Sequence, residues 1–255
     1  MNGPFTAWAM WTDSPSTAYR VLDETGFVLH QVPYRESSSL VDVFTRQHGR
    51  LRLLAKGHRK PGSGRASLQA FTTFQLSWSG RSSLQTLIRI EPAETPFLLT
   101  ATALYCGLYL NELLLRLLPP GDPYPLIYTA YRETLTDLSQ TDRVEPGLRY
   151  FELLLLESLG YGLSLDRSAQ TGHPIEADQH YRYIMDCGLE ECEPSTVDAL
   201  PGSTLTALKN HKLSNEIQLR QAKRLMRRLI DHYTQGKPIR SRALFQTQRP
   251  SFLPT

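Results

Sequence analysis

Cysteine is scarce in this chain: Cys106, Cys187 and Cys192 are the only three in 255 residues. So few cannot make the disulfide framework of a small secreted domain, and they point to a reducing cytoplasm. The opening residues carry no basic stretch followed by an apolar core, so no secretion signal is expected. Long apolar runs are missing too. The longest, 97–118, is interrupted by Asn111, Glu112 and Arg116, which makes it a core helix rather than a membrane span. There is no G-x-x-x-x-G-K-[ST] phosphate loop, no H-E-x-x-H helix and no G-x-S-x-G nucleophile elbow. Glu190, Glu191 and Glu193 are neighbours on a loop, an arrangement of solvated surface rather than of two-metal chemistry. Neither enzymatic activity nor a cofactor is expected.

The most informative absence is of negative charge. From Arg46 to Arg65 there is no Asp or Glu, while Arg46, Arg50, Arg52, Lys56, Arg59, Lys60 and Arg65 supply seven cations. Alternation through the middle of this stretch places Leu51, Leu53 and Ala55 on one face and Arg50, Arg52, Leu54 and Lys56 on the other. A sheet that buries one side and shows regularly spaced cations on the other suits a polyanion, whose neutralised phosphates release counterions. Tyr34, Phe44 and His58 are the rings near enough in sequence to stack on bases. The rest of the chain is segregated as well. Residues 92–208 hold 6 Lys/Arg against 17 Asp/Glu, and residues 209–255 hold 11 against 2. The pattern predicts two nucleic-acid-facing regions around a helical body.

Periodicity divides the chain. Residues 1–18 are rich in Pro, Ser, Thr and Trp without a period, and read as a flexible extension. Residues 19–92 read as five strands, 26–34, 39–45, 49–57, 71–79 and 83–91, with one long basic loop between the third and fourth; this fits an OB-fold barrel. From residue 93 to 255 the period is helical. Helices are predicted over 95–118, 124–139, from Pro146 to Gly160, and over 214–233, with an irregular insert at 163–203. On the last helix Arg220, Arg224 and Arg227 share a face widened by Lys223 and Arg228, while Ile217, Leu225, Met226, Leu229 and Tyr233 point to the body. Such a basic face is open to a second nucleic-acid contact or to plain solvation. In the third helix Arg149 borders a strongly apolar surface. A cation there suits a short acidic peptide ending in an aromatic residue and a free carboxylate, or it is a surface arginine on a core helix.

Five segments in order carry a resemblance to a known family: YRESSSLVDVFTRQHGRLRLLAKGHRKPGS, LQAFTTFQLSWSGRSSLQTLIRIEP, LYCGLYLNELLLRLLP, LRYFELLLLESLGYG and AKRLMRRLIDHYTQGKPIRSRALF. Over about 26–245 the chain resembles RecO, the bacterial recombination-mediator and DNA-repair family. The resemblance implies an α+β architecture: an N-terminal five-stranded OB-fold barrel, then a C-terminal helical bundle with an irregular zinc-finger-like insert. It implies binding to single- and double-stranded DNA in RecF-pathway repair, in the cytoplasm at the nucleoid. Recognition of strands coated by the single-stranded-DNA-binding protein (SSB), help to RecR in loading RecA, and annealing of complementary strands without ATP are implied with it. Arg35, Arg50, Arg52, Lys56, Arg59, Lys60, Arg65, Arg220, Arg224 and Arg227 are the expected DNA contacts, and Arg149 the expected contact for the acidic SSB tail. Some relatives hold zinc on four cysteines in the insert. Here only Cys187 and Cys192 stand in that region, with His173 and His180 nearby, so no metal is expected. The rival reading is a non-catalytic adaptor that uses the barrel to dock proteins.

Overall fold

The computed structural model describes residues 19–59, 68–82, 84–141, 144–161 and 164–245. Five strands, β1 (Arg20–Tyr34), β2 (Ser38–Thr45), β3 (Gly49–Ala55), β4 (Thr73–Ser79) and β5 (Gln85–Pro92), close a barrel in the order β1-β2-β3-β5-β4. Every pairing is antiparallel except β3 with β5, where Leu53 and Leu54 meet Gln85 and Thr86 in parallel. This is the OB-fold expected. Val28, Val41, Val43, Leu53, Phe74, Leu76 and Trp78 fill its interior. The second face of the barrel is not all solvent. Phe27, Leu29 and Phe44 point outward into a core shared with the helices.

The helices are α1 (Ala101–Leu117), α2 (Pro125–Gln140), α3 (Glu145–Ser158), α4 (Gly202–Lys209) and α5 (Glu216–Tyr233). Proline opens α2 and α3, where the missing amide hydrogen costs nothing, and the Asn215 side chain caps α5 by accepting from Gln218 N at 2.9 Å. The start of α1 falls later than the apolar pattern predicts. Residues 93–100 run extended beside β4, with Ala93 N and Phe97 N donating to Thr73 O and Phe71 O. Pro96 keeps the residue before it out of helical geometry. A final 3-10 turn, Arg240–Phe245, lies across α1.

The segment read as irregular contains order. Strands β6 (His180–Ile184), β7 (Gly188–Glu191) and β8 (Leu200–Pro201) make a small sheet with β6 central. Tyr181, Tyr183, Leu189 and Leu200 are buried from it into the helical core. Strands of four or five residues among turns give too little alternation to read from sequence. Cys187 sits exposed in the β6–β7 turn and Cys192 follows β7, both as free thiols. Among the described residues no three of His, Cys, Asp and Glu gather as a metal site, so the donors do not fit the four-ligand zinc of the resemblance. The sheet holds through packing instead.

Barrel and helices meet in an aromatic seam. Phe27 and Phe44, paired across β1 and β2, face Tyr128 and Tyr131 of α2 with ring centres 5.0–6.4 Å apart. Phe44 is fully buried there, which removes it from the rings expected to stack on bases. A β-bulge at Leu29 accompanies a polar bond across the seam: Asn111 Nδ2 on α1 donates to Leu29 O at 3.0 Å, and Tyr131 Oη donates to Asn111 Oδ1 at 2.5 Å. At the edge of the seam Gly49 has φ +63°, and a Cβ there would lie 1.8 Å from Asp122 O. Only glycine lets the β2–β3 turn come this close.

Two outcomes follow from this packing. Asn111→Leu strands a buried carbonyl and a buried phenol, so it should cost about 1–3 kcal/mol per orphaned group, read as a lowered denaturation midpoint with unchanged slope. Purified protein should carry far less than one zinc per chain and keep its Tm in a chelator. Stoichiometric zinc that stabilises the fold would show that the histidines complete a site after all.

Candidate functional site

The basic sequence stretch is dispersed by the fold. Arg50 is half-buried at the seam: its Nε donates to Leu118 O at 3.0 Å, and its carbonyl accepts from Gly121 N at 2.9 Å. Burial lowers its pKa, with Asp42 pulling the other way. Arg52 grips Asp42 through Nε and Nη2, each at 2.9 Å, and this hydrogen-bonded pairing raises its own pKa. Asp42 is almost wholly buried opposite Arg52 in the β2–β3 register, with His30 Nδ1 at 3.8 Å on its other side. The sequence stretch free of carboxylates is thus not free of them in space. Antiparallel pairing brings in a carboxylate from ten residues earlier.

Three of the other cations collect at one end of the barrel, while Arg46 is exposed in the β2–β3 turn at the other. The β1–β2 turn holds Arg35, with its guanidinium 5.3 Å from the Tyr34 ring centre, and Arg59 reaches the same turn. Arg59 N donates to Ser37 O at 2.9 Å and its Nη1 lies 3.5 Å from Arg35 O. Arg35, Lys56 and Arg59 are all exposed. The basic loop continues from here through Lys60 and Arg65, which lie outside the described residues. This edge joins three of the expected contacts with a ring, and the register of β2 and β3 is what brings them together.

The cationic helix α5 is also broken up. Arg224 and Arg228 pair with Asp198 at 3.5 and 3.0 Å, and Lys223 pairs with Glu145 at 2.6 Å. The acidic middle of the chain thus neutralises part of its basic tail. Ile217, expected to face the body, is 60% exposed, because α5 begins beyond the edge of the core. Leu225, Met226 and Leu229 do face inward.

Between α1, α3, α5 and the final 3-10 turn lies a cavity of about 600 Å³. Its cations are Arg149, Lys223, Arg227 and Arg242, with Glu145 as the one carboxylate in the lining; Cys106, Val144, Leu148 and Phe245 give it apolar wall. Arg149 is no surface residue. It is 4% exposed, and its Nη2 donates to Glu152 Oε1 at 2.7 Å, an oxygen that also accepts from Tyr109 Oη at 2.7 Å. Burial pushes the Glu152 carboxyl up, while Arg149 and the Tyr109 hydroxyl pull it down. Burial likewise pushes the Cys106 thiol up to about 12, so it serves as inert wall. Arg149 Nε is buried without a hydrogen-bond partner, so the guanidinium is not fully used by Glu152. Arg242 lies over the Tyr109 ring at 5.8 Å and pairs with Asp231, which stands 4.0 Å from Arg227.

Sequence reasoning placed Arg149 correctly beside an apolar surface. It counted Arg227 among the nucleic-acid contacts, took Arg242 as part of the basic tail and did not single out Phe245. The signal for Lys223 and Arg227 was their spacing of four, which sets them one turn apart. The 3-10 turn offered none, since its position depends on contacts with α1 more than a hundred residues away.

The comparisons with known proteins agree with this architecture. The family model "Recombination protein O N terminal" matches residues 20–96 and "Recombination protein O C terminal" matches residues 98–243. The DNA repair protein RecO of Methylococcus capsulatus is 43% identical over 229 residues, covering 89% of this chain and 94% of that protein. RecO of an Azoarcus species is 41% identical over 233 residues, covering 89% and 96%. RecO of Marinobacter nauticus is 40% identical over 237 residues, covering 91% and 96%. With both halves matched in order, and such identity over about nine-tenths of its length, the chain belongs to the RecO family of DNA repair proteins.

Proposed function

We propose that this protein is a non-enzymatic recombination mediator that holds DNA on the barrel and the acidic C-terminal tail of SSB in the helical cavity. The observation that carries the reading is the cavity. Four cations against one carboxylate, Glu145, line a recess with an apolar wall, and the most buried of the cations keeps a donor without a partner. A peptide ending in an aromatic residue and a free carboxylate supplies a ring for the Leu148–Phe245 wall and an anion for Arg149. Its acidic residues would meet Lys223 and Arg227 at the rim.

DNA, single- or double-stranded, belongs at the barrel edge. Tyr34 supplies a stacking face, and Arg35, Lys56 and Arg59 lead into Lys60 and Arg65. Arg50 and Arg52 support that surface from the seam and from β3, and Arg220 extends the cationic area on α5. A protein with separate cationic surfaces can screen two phosphate backbones while base stacking re-forms, which gives annealing without ATP a physical basis. In the repair pathway of the family this would deliver SSB-coated strands to RecR for RecA loading, with RecF as an indirect partner.

Reversing Arg35, Lys56 and Arg59 to Glu should weaken single-strand binding and reduce the log–log salt slope by about 0.7 for each lost phosphate contact. An unchanged slope in the folded variant would remove the barrel edge from the interface and favour a docking adaptor. Arg149→Ala alone strands Glu152 in the core, so the cleaner variant is Arg149→Ala with Glu152→Gln. It should lose about 1.5–3 kcal/mol of tail affinity, on the order of ten- to hundredfold, and bind naked strands as before. Calorimetry with the isolated tail peptide reads this directly, and equal affinity would make the arginine purely structural.

A further inference from the structure

The acidic-peptide cavity is completed by a piece of chain that does not belong to the helical bundle. Arg242 and Phe245 come from the 3-10 turn, which residues 234–239 join to the end of α5. One carboxylate ties the start of this turn to α1. Glu112 Oε1 accepts from Arg240 N at 3.0 Å, and its Oε2 accepts from Ser241 N and Ser241 Oγ, both at 2.8 Å. The sequence pairs Glu112 with Arg116 one turn on, but that contact is 3.4 Å and secondary to the other three. Glu112 is not part of the cavity wall.

We infer that Glu112 is a positioning residue for the acidic-peptide site, pinning the 3-10 turn so that Arg242 and Phe245 form one wall. This rests on the reading of the cavity given above. Two consecutive amides and a hydroxyl converge on one carboxylate, so removing it frees the turn at the point where the chain reaches α1. Beyond that point the turn is held by the Arg242–Asp231 pair and by Phe245 edge-on to Tyr105 at 5.9 Å. Both of those contacts lie after the anchor, and Glu112 sets where the turn that makes them begins. A cationic wall displaced by about an ångström loses its geometry toward a bound carboxylate, as any site does when its supporting contacts are loose.

The test uses the full-length protein and a labelled acidic peptide ending in phenylalanine with a free carboxylate, followed by fluorescence anisotropy. Glu112→Ala should weaken binding about tenfold, and Glu112→Gln should restore most of it, because its carbonyl oxygen still accepts from the turn. On an Arg242→Ala background Glu112→Ala should add little, since both changes disable the same wall. Affinity for naked single strands should stay as in the wild type. The inference is overturned if Glu112→Ala binds the peptide like wild type, or if its loss is undiminished on the Arg242→Ala background. Failure of the wild-type protein to bind the peptide would instead strike the cavity reading, and this inference with it.

Discussion

Asn111 uses both ends of its amide across the seam, donating to the Leu29 carbonyl of the barrel and accepting the Tyr131 hydroxyl of α2. The three groups are buried, so each needs a partner and each has few alternatives. Apolar packing of Phe27 and Phe44 on Tyr128 and Tyr131 provides most of the adhesion, but aromatic contact alone tolerates sliding. The amide does not. It fixes one register between α1 and β1, and everything that works at a distance from the seam inherits that register.

Helix α1 is the member through which this constraint travels. Successive residues on a helix point about 100° apart, so Asn111 can face the barrel while Glu112 takes the C-terminal turn. Tyr109 and Cys106 line the cavity from the same helix, and Leu118 beyond its other end receives Arg50 of β3. Residues that sequence patterning treats as interruptions of an apolar run are thus its most specific contacts. Polar groups persist in a buried helix where they have partners, and here those partners lie on the barrel, on α2 and on the 3-10 turn.

The barrel was readable because antiparallel strands that bury one face alternate in sequence, as Phe74, Leu76 and Trp78 do against Thr73, Gln75 and Ser77, although in the barrel Thr73 and Ser77 are buried as well. Arg149 was readable because it is the one cation on α3, a helix rich in leucine. Other features depend on pairings that local pattern does not contain. Asp42 reaches Arg52 through strand register, Asp198 reaches Arg224 and Arg228 through tertiary packing, and Glu112 reaches Ser241 across 129 positions. Charge counted along a sequence is therefore a poor measure of charge in space. Both basic regions lose part of their cations to carboxylates that lie elsewhere in the chain.

The two cationic places, the barrel edge and the cavity, sit on one frame. From Cys106, in the cavity wall, to Leu118, where Arg50 is held, α1 rises roughly 18 Å at 1.5 Å per residue. That exceeds the screening length of about 8 Å at physiological salt. A phosphate backbone at the barrel edge would therefore repel an acidic peptide in the cavity only weakly, and the two anions need not compete through the field. Competition, on this reading, has to be steric or run through α5, where Lys223 and Arg227 turn to the cavity while Arg220 remains outside. On the proposed function, a mediator gripping a coated strand by the coat and by the DNA gains from such independence. Each grip can be released without weakening the other, and the joint affinity comes from tethering rather than from new contacts.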